Sequence, residues 1–543
     1  MPADVPNAKT VYLSRIAAVR RIVQSSSLSY RRLRYSICAA VPGCHLPDAA
    51  HAVATFARSS GAGIREVEML RSTSRTLLVC LSVVWLVTVG LALGRARLDD
   101  RQKSEKRRTQ DLIENAADKV KRGQRIFRFD TFVDEAFWGN TLKLHQAIEG
   151  ARFGGVGPGV SPRTALAVGL KIDADALPPN VLEQIEKGRI NLDDPAVTLA
   201  LIKSNAVVGL TGTFGANGAL KSVGIQCALC HSTVDDSHPS LCAGAVTPNP
   251  GTGCVGRRLD GWSNRDLNVG AIVALAPDLS AFATLLGVSQ DDVRSVLRSW
   301  GPGKFDAELI LDGKAVNPQQ VSNGIVTGVN VPGATLIPPA FGLGGVNLHT
   351  WTGWGSVPHW NAFVANLEMH GVGRFFDPRL DDAAQFPIAA AHGLGDLPHI
   401  SPDDDRITSK LSDLQFYQLS IPSPQPPEGS FDPAAAARGD ELFSGKAGCN
   451  NCHVEPLWTE PGWNLHLPAD VCVDAFQADR APDHRYRTSP IGAIFTHTKG
   501  GFFHDGRFAT LDAVVDHYNT CFQLGLSPGE KQDLIQYLLS LTF

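Results

Sequence analysis

Apolar residues fill almost every position from Leu77 to Leu93, and no charge interrupts the chain from Thr76 to Gly94. Nineteen uncharged residues can just span a bilayer. With Arg71 and Arg75 directly before it, the run equally describes an export signal, and a buried core helix is the third reading. Met69 opens the string MLRSTSRTLLVCLSVVWLVTVGLALGRA, which by itself looks like a signal peptide. Residues 1–68 therefore read as a doubtful leader, an upstream mis-extension of the frame, and 69–96 as signal peptide or membrane anchor. In both cases the chain beyond residue 95 is expected outside the cytoplasm. A periplasmic protein follows, soluble after cleavage or anchored in the inner membrane.

After this run the pattern becomes helical and mostly short. The charge-dense stretch 97–123 predicts a linker and a first amphipathic helix, and 124–226 alternates helical stretches with Gly/Pro-rich connections such as GGVGPGVSP. Ser289–Trp300, Thr408–Ser420, Asp432–Phe443 and Ser527–Leu541 each carry an apolar stripe or a capping residue at helical spacing. The string IPSPQPPEGS at 421–430 reads as an interdomain linker. This predicts a mainly α fold: a helical extension at 97–199, one domain at 200–425 and a second at 430–543.

A weak internal repeat supports the two-domain reading. IPPAFGLGGVNLHTWTGWGSVPHWNAFVANLE spans 337–368, and SPIGAIFTHTKGGFFHDGRFATLDAVVDHY spans 489–518. Both open with Pro, pass through an aromatic and Gly-rich stretch to a corner, and enter a short helix. Aligned from that helix, Thr510–Tyr518 lies over Trp360–Glu368, so Glu368 and Tyr518 are equivalent.

Composition adds limits. The 543 residues are 43% hydrophobic and 19% charged, enough for sizeable cores. Fifty Lys and Arg against 54 Asp and Glu give a formal charge of −4, which offers no electrostatic case for nucleic acid as a partner. GGVGPGV at 154–160 lacks the Lys-Ser/Thr ending of a phosphate-binding loop.

The placement of the eleven cysteines is more informative. Cys227-Ala-Leu-Cys230-His231 and Cys449-Asn-Asn-Cys452-His453 both read Cys-x-x-Cys-His, the c-type haem attachment pattern. Thiols three residues apart on a helical turn share a face, where each can form a thioether to one porphyrin. The adjacent His then points at the iron. A lone motif could be a redox dithiol or half a zinc site, but two copies ending in His behind an export signal disfavour both. The expected cofactors are two covalently bound haem c groups in tandem cytochrome c-like domains. Cys242, Cys254, Cys472 and Cys521 remain in an oxidising compartment, with Cys242–Cys254 and Cys472–Cys521 preferred among three possible pairings.

With two haem motifs and the text FFHDGRFATLDAVVDHY after the second, the chain resembles the bacterial diheme cytochrome c peroxidase and MauG superfamily. The resemblance covers roughly 200–543 and is strongest in 433–541. It implies a peroxidatic first haem and a second haem that passes electrons. The family's Trp-Asp-Gly matches Trp351-Thr352-Gly353, with Thr in place of Asp. This makes Trp351 the first candidate for an electron relay and Trp354 the second.

The family's peroxidases place a Met ligand in the helix after the His-Asp-Gly corner, but this chain has only 3 Met and none beyond Met369. The matching position is Tyr518, as in MauG-type members, with His517 and Met369 as rivals for the second iron. After His238 no histidine occurs until His349, and His238 lies too near His231 to cross the haem, so the first iron is expected open to peroxide or O2. Glu368 is the candidate distal carboxylate. Between His231 and Pro427 the only other glutamate is Glu308, and Met369 and His370 are rival pocket residues.

The expected activity is reduction or use of hydrogen peroxide. Its partner is a small electron-donor cytochrome c or cupredoxin, or an oxidisable substrate. A diheme oxygenase acting on an organic substrate and a plain electron-transfer cytochrome are the alternatives. Acidic loops bind Ca2+ in some family members, and Asp403-Asp404-Asp405 is the acidic triplet here, although it also reads as a solvated turn.

Overall fold

The computed structural model describes residues 65–235, 237–238, 253–305, 311–313 and 334–543. About half of them are helical, and strands occur only as two-stranded pairs. The chain divides into two units, Met1–Lys103 and Ser104–Phe543.

In the first unit, the described residues lie in the helix Arg65–Phe129, which continues into the second unit. A separate linker and helix were expected over 97–123, yet the helix is uninterrupted. No Pro occurs between Arg65 and Phe129, and nothing approaches Gly90 or Gly94 to exploit a break there. Leu81, Val84, Trp85, Leu86 and Leu91 are exposed. Among the described helices, this one is long and apolar enough to cross a membrane.

The last turns of the same helix belong to the second unit and are anchored there. Gly123 lies so close to the Asp413 carbonyl that any Cβ would collide with it. Arg122 pairs with Asp413 at 2.6 Å, and fully buried Phe127 meets the Tyr417 ring edge-on at 5.6 Å. Asp413 and Tyr417 sit on the helix Thr408–Ser420, whose observed bounds match the predicted ones. Asp405 caps this helix, accepting from the Ile407 and Thr408 amides at 2.9 Å.

The segment read as an N-terminal extension shares a core with the residues that follow it. Trp138, Leu142, Leu144 and Ile148 pack in one apolar cluster with Leu201, Leu220, Val223, Val255, Leu297 and Trp300. Within it, strands Leu210–Phe214 and Leu220–Ile225 form an antiparallel hairpin with Leu210 opposite Ile225. The hairpin ends directly before the first motif. The one-turn helix Ala228–His231 follows, and then strand Ser232–Val234 pairs antiparallel with Arg258–Asp260. The first motif is therefore a short turn clamped between two small sheets.

The C-terminal core is built by helices Pro433–Ser444 and Pro528–Ser540, which cross at Gly439, where a Cβ would meet the Asp533 carbonyl. Asp432 caps the first helix. Ser527 and Glu530 form a capping box on the second, at the predicted start. Phe443, Trp458, Leu511, Val515, Leu534 and Leu538 fill the space between these helices and the helix Leu511–Cys521. Cys472 and Cys521 are joined by a disulfide with a Cα–Cα distance of 6.4 Å. Cys254 is also disulfide-bonded, whereas its preferred partner Cys242 lies outside the described residues.

Candidate functional site

Both Cys-x-x-Cys-His motifs hold their histidine in the same way. His231 Nδ1 lies 3.1 Å from the Pro338 carbonyl, and His453 Nδ1 lies 3.0 Å from the Trp458 carbonyl. A carbonyl can only accept, so each Nδ1 carries the proton and each Nε2 keeps its lone pair for a metal. Burial lowers the His231 pKa to about 4 and also lowers that of His453, favouring the neutral ring a metal needs. Pro338 and Ser489, whose backbone also supports His453, come from the opening residues of the two repeat copies.

The four motif cysteines are free thiols, and burial pushes Cys227 and Cys230 up to about 12 and Cys449 up to about 11. Dithiol redox chemistry needs the opposite shift, toward thiolate. Cys452 also lies near Glu460 and His466. Those two already bond each other at 2.5 Å, and Glu460 accepts from Thr488 Oγ1 at 2.6 Å. Neutral, paired thiols beside a bare imidazole nitrogen suit thioether anchoring of a porphyrin whose iron the histidine ligates.

The first motif has a carboxylate nearby. Helix Val357–Phe363 widens into a π-helical turn, Val364–Glu368, which ends on Glu368. Its charge raises the Cys230 pKa, after the larger effect of burial. Glu368 also lines a cavity of about 300 Å3 with Phe137, Trp138, Phe282, Trp300 and His370. His370 stacks on Phe137 at 3.6 Å, and burial lowers its pKa to about 4. Glu308 lies outside the described residues. His238 pairs with Glu186 at 2.6 Å, which leaves its Nδ1 engaged away from the motif.

At the second motif, Tyr518 and His517 are separated by their contacts. Burial raises the Tyr518 phenol to about 12, and the Cys449 and Cys452 thiols add to the shift. His517 Nε2 is instead held 2.9 Å from the Cys472 carbonyl. Met369 is buried in a cluster with Phe132, Val208 and Ala228 of the first motif's turn, whereas Cys449 belongs to another cluster. The corner before Tyr518 is fastened by ion pairs. His504 and Arg507 both contact Asp474, and Arg507 also bonds Asp505 at 2.7 Å. Against the effect of burial, the His504 hydrogen bond and the Arg507 charge hold the Asp474 carboxyl far below the usual range.

Trp351 lies at the seam between the two motif-bearing segments. Its indole donates to the Leu336 carbonyl at 3.1 Å, and its own carbonyl accepts from the Arg487 amide at 3.2 Å. Leu336 N in turn donates to the His504 carbonyl at 2.7 Å. Trp354 is in a separate aromatic cluster with Trp360, Phe363 and Phe386, its indole bonded to Asp377 at 3.1 Å. Asp403 and Asp404 are exposed, and Asp405 is occupied by its cap.

The spacing of residues did not disclose Arg265, Asn264 or the carbonyls that orient the histidines. Asn264 N donates to the Cys230 carbonyl at 2.8 Å, and its amide to the Gly169 carbonyl at 2.9 Å. The only hint was position, shortly after the GCVGRRLDG loop.

Against curated proteins, the chain is 30% identical over 122 residues to methylamine utilization protein MauG of Methylorubrum extorquens. It is 32% identical over 152 residues to cytochrome-c peroxidase IdrP1 of Denitromonas iodatirespirans. The resemblance to the diheme cytochrome c peroxidase and MauG family holds. Each match takes in 20% of this chain, which spans 35% and 40% of the length of these relatives. No protein-family model matches. The relatives support a haem oxidoreductase of this type, and the motif geometry fits haem c.

Proposed function

We propose that the chain is an exported diheme c-type cytochrome oxidoreductase that reduces hydrogen peroxide, or uses it as oxidant, in the periplasm. Cys227, Cys230 and His231 would hold the first haem within residues 200–425. Cys449, Cys452, His453 and Tyr518 would hold the second within 430–543. When bound, haem c supplies a redox-active iron at each motif.

The observation that carries the reading is the difference between repeat-equivalent positions. A carboxylate, Glu368, stands by the first motif, and a phenol, Tyr518, by the second. A phenol is an iron ligand that favours the oxidised metal, whereas a carboxylate lining a cavity can carry protons. Reduction of peroxide to two waters consumes two electrons and two protons. Glu368 would move a proton between the oxygens of a peroxide in the cavity, and Trp351 would lie on the electron path between the segments. The electrons come from a small donor protein, a cytochrome c or cupredoxin, or from an oxidisable substrate.

The test is the EPR spectrum of the resting ferric holoprotein. One high-spin and one low-spin haem are expected, with the high-spin signal consumed by peroxide. Two low-spin haems indifferent to peroxide would leave an electron-transfer cytochrome. The apolar lining of the cavity beside Glu368 favours one second reading, oxygenation of an apolar organic substrate there. Uptake of O2 with such a substrate, and none with peroxide, selects it.

A further inference from the structure

Arg265 is only 8% exposed, and none of its three guanidinium nitrogens has a hydrogen-bond partner. Such a group is rare, because a buried guanidinium without an acceptor loses its hydration and gains nothing in return. The carboxylate next to it does not help. Asp266 is taken by Lys171 and Lys499, each at 2.6 Å. Burial alone drives the Arg265 pKa down to about 10, with no acidic group offsetting it.

The position of this cation is specific. Its neighbour Asn264 is bonded to the Cys230 carbonyl, which fixes the Arg265 backbone behind the first motif. Its side chain reaches the loop that precedes the His-Asp-Gly corner, where a Cβ on Gly500 would lie 3.6 Å from Nη1. Its charge is felt by His497 of that loop, whose buried Nδ1 also lacks a partner. Two side chains with unsatisfied nitrogens thus lie at the seam that also holds Trp351 and Leu336.

We propose that Arg265 is a cofactor-binding residue that takes a porphyrin carboxylate of the haem attached at Cys227 and Cys230. The planar fork of a guanidinium matches a carboxylate in bidentate fashion. A covalently attached haem delivers such a group to a fixed place, whereas a free anion would have to be recruited. The inference rests on the haem reading of the first motif. It adds an anchor, made of this chain's own charge, where the two motif segments meet.

The experiment is a spectroelectrochemical titration of the holoprotein and of its Arg265→Met and Arg265→Lys variants, with haem content measured by pyridine haemochrome. A cation beside the porphyrin favours the reduced state. Arg265→Met should therefore shift the first haem's midpoint potential downward and make it more dependent on pH, while Arg265→Lys recovers part of the shift. The resonance Raman band of the carboxylate should move in the Met variant. Unchanged potentials and bands in a fully haem-loaded Met variant overturn the proposal, as does a shift confined to the second haem. A wild-type potential that follows added chloride or phosphate assigns the site to a free anion and overturns it too. If Arg265→Met does not accumulate, Arg265→Lys and Arg265→Gln carry the same comparison. Absence of haem from the wild type would instead remove the underlying reading.

Discussion

Tyr518 and His517 are adjacent on one helix, where neighbours point about 100° apart, so one of them at most can face a given metal. The sequence left both open, together with Met369. Their surroundings differ, because His517 is engaged by the Cys472 carbonyl while the buried Tyr518 phenol feels the charge of the motif thiols. Tyr518→Phe should change the optical spectrum of the second haem only, and an unchanged spectrum would move the ligand to His517. At the first motif, Glu368→Gln removes the ionisable group and keeps the shape. Proton transfer by a placed side chain contributes on the order of 100-fold or more. The variant's reaction with peroxide, followed by stopped flow, should slow by about that factor with both haems retained. A normal rate would return Glu368 to an ordinary helix residue. The glutamate count narrowed the choice to Glu308 and Glu368, but only the π-helical turn shows where Glu368 ends up.

At the scale of elements, helices with strong local signals were legible. Asp432, Ser289 and Ser527 announce helix starts by side chains that accept from nearby amides, and such contacts need no distant partner. The capping box at Ser527 also carries a pH dependence. Its Glu530 carboxyl is held at about 2, against an ordinary 4.5, by Lys446 first and then by Ser527. Between those values the unfolded chain binds the proton and the folded chain does not. This contribution is complete above pH 4.5 and is lost as the pH falls toward 2. Glu530→Gln should flatten the acid limb of urea-denaturation stability between about pH 5 and 3. An unaltered limb would show that the box does not set it. The unbroken helix Arg65–Phe129 was not legible, because the shift from apolar to charged text at residue 95 mimics a boundary. Side-chain polarity changes there, while backbone propensity does not.

For the whole molecule, the unit beginning at Ser104 contains both motifs, the Trp351 seam and all four described apolar clusters. A chain carrying a cleavable export signal in place of residues 1–103 should accumulate as a soluble protein with two haems. Two equivalents by pyridine haemochrome in the soluble periplasmic fraction would meet that expectation. Loss of haem or of solubility would assign residues 1–103 a part in the fold.

The sequence by itself determined the two attachment motifs, the apolar N-terminal run, the helix starts and the scarcity of methionine. Each is a matter of residue identity within a few positions, where covalent spacing and local hydrogen bonds suffice. Tertiary structure alone decided which carbonyl orients each motif histidine, that the Cys472 carbonyl engages His517, and where Trp351 lies between the segments. It alone left the Arg265 guanidinium buried without a partner. These depend on residues tens to hundreds of positions apart, brought together by packing that no local pattern encodes.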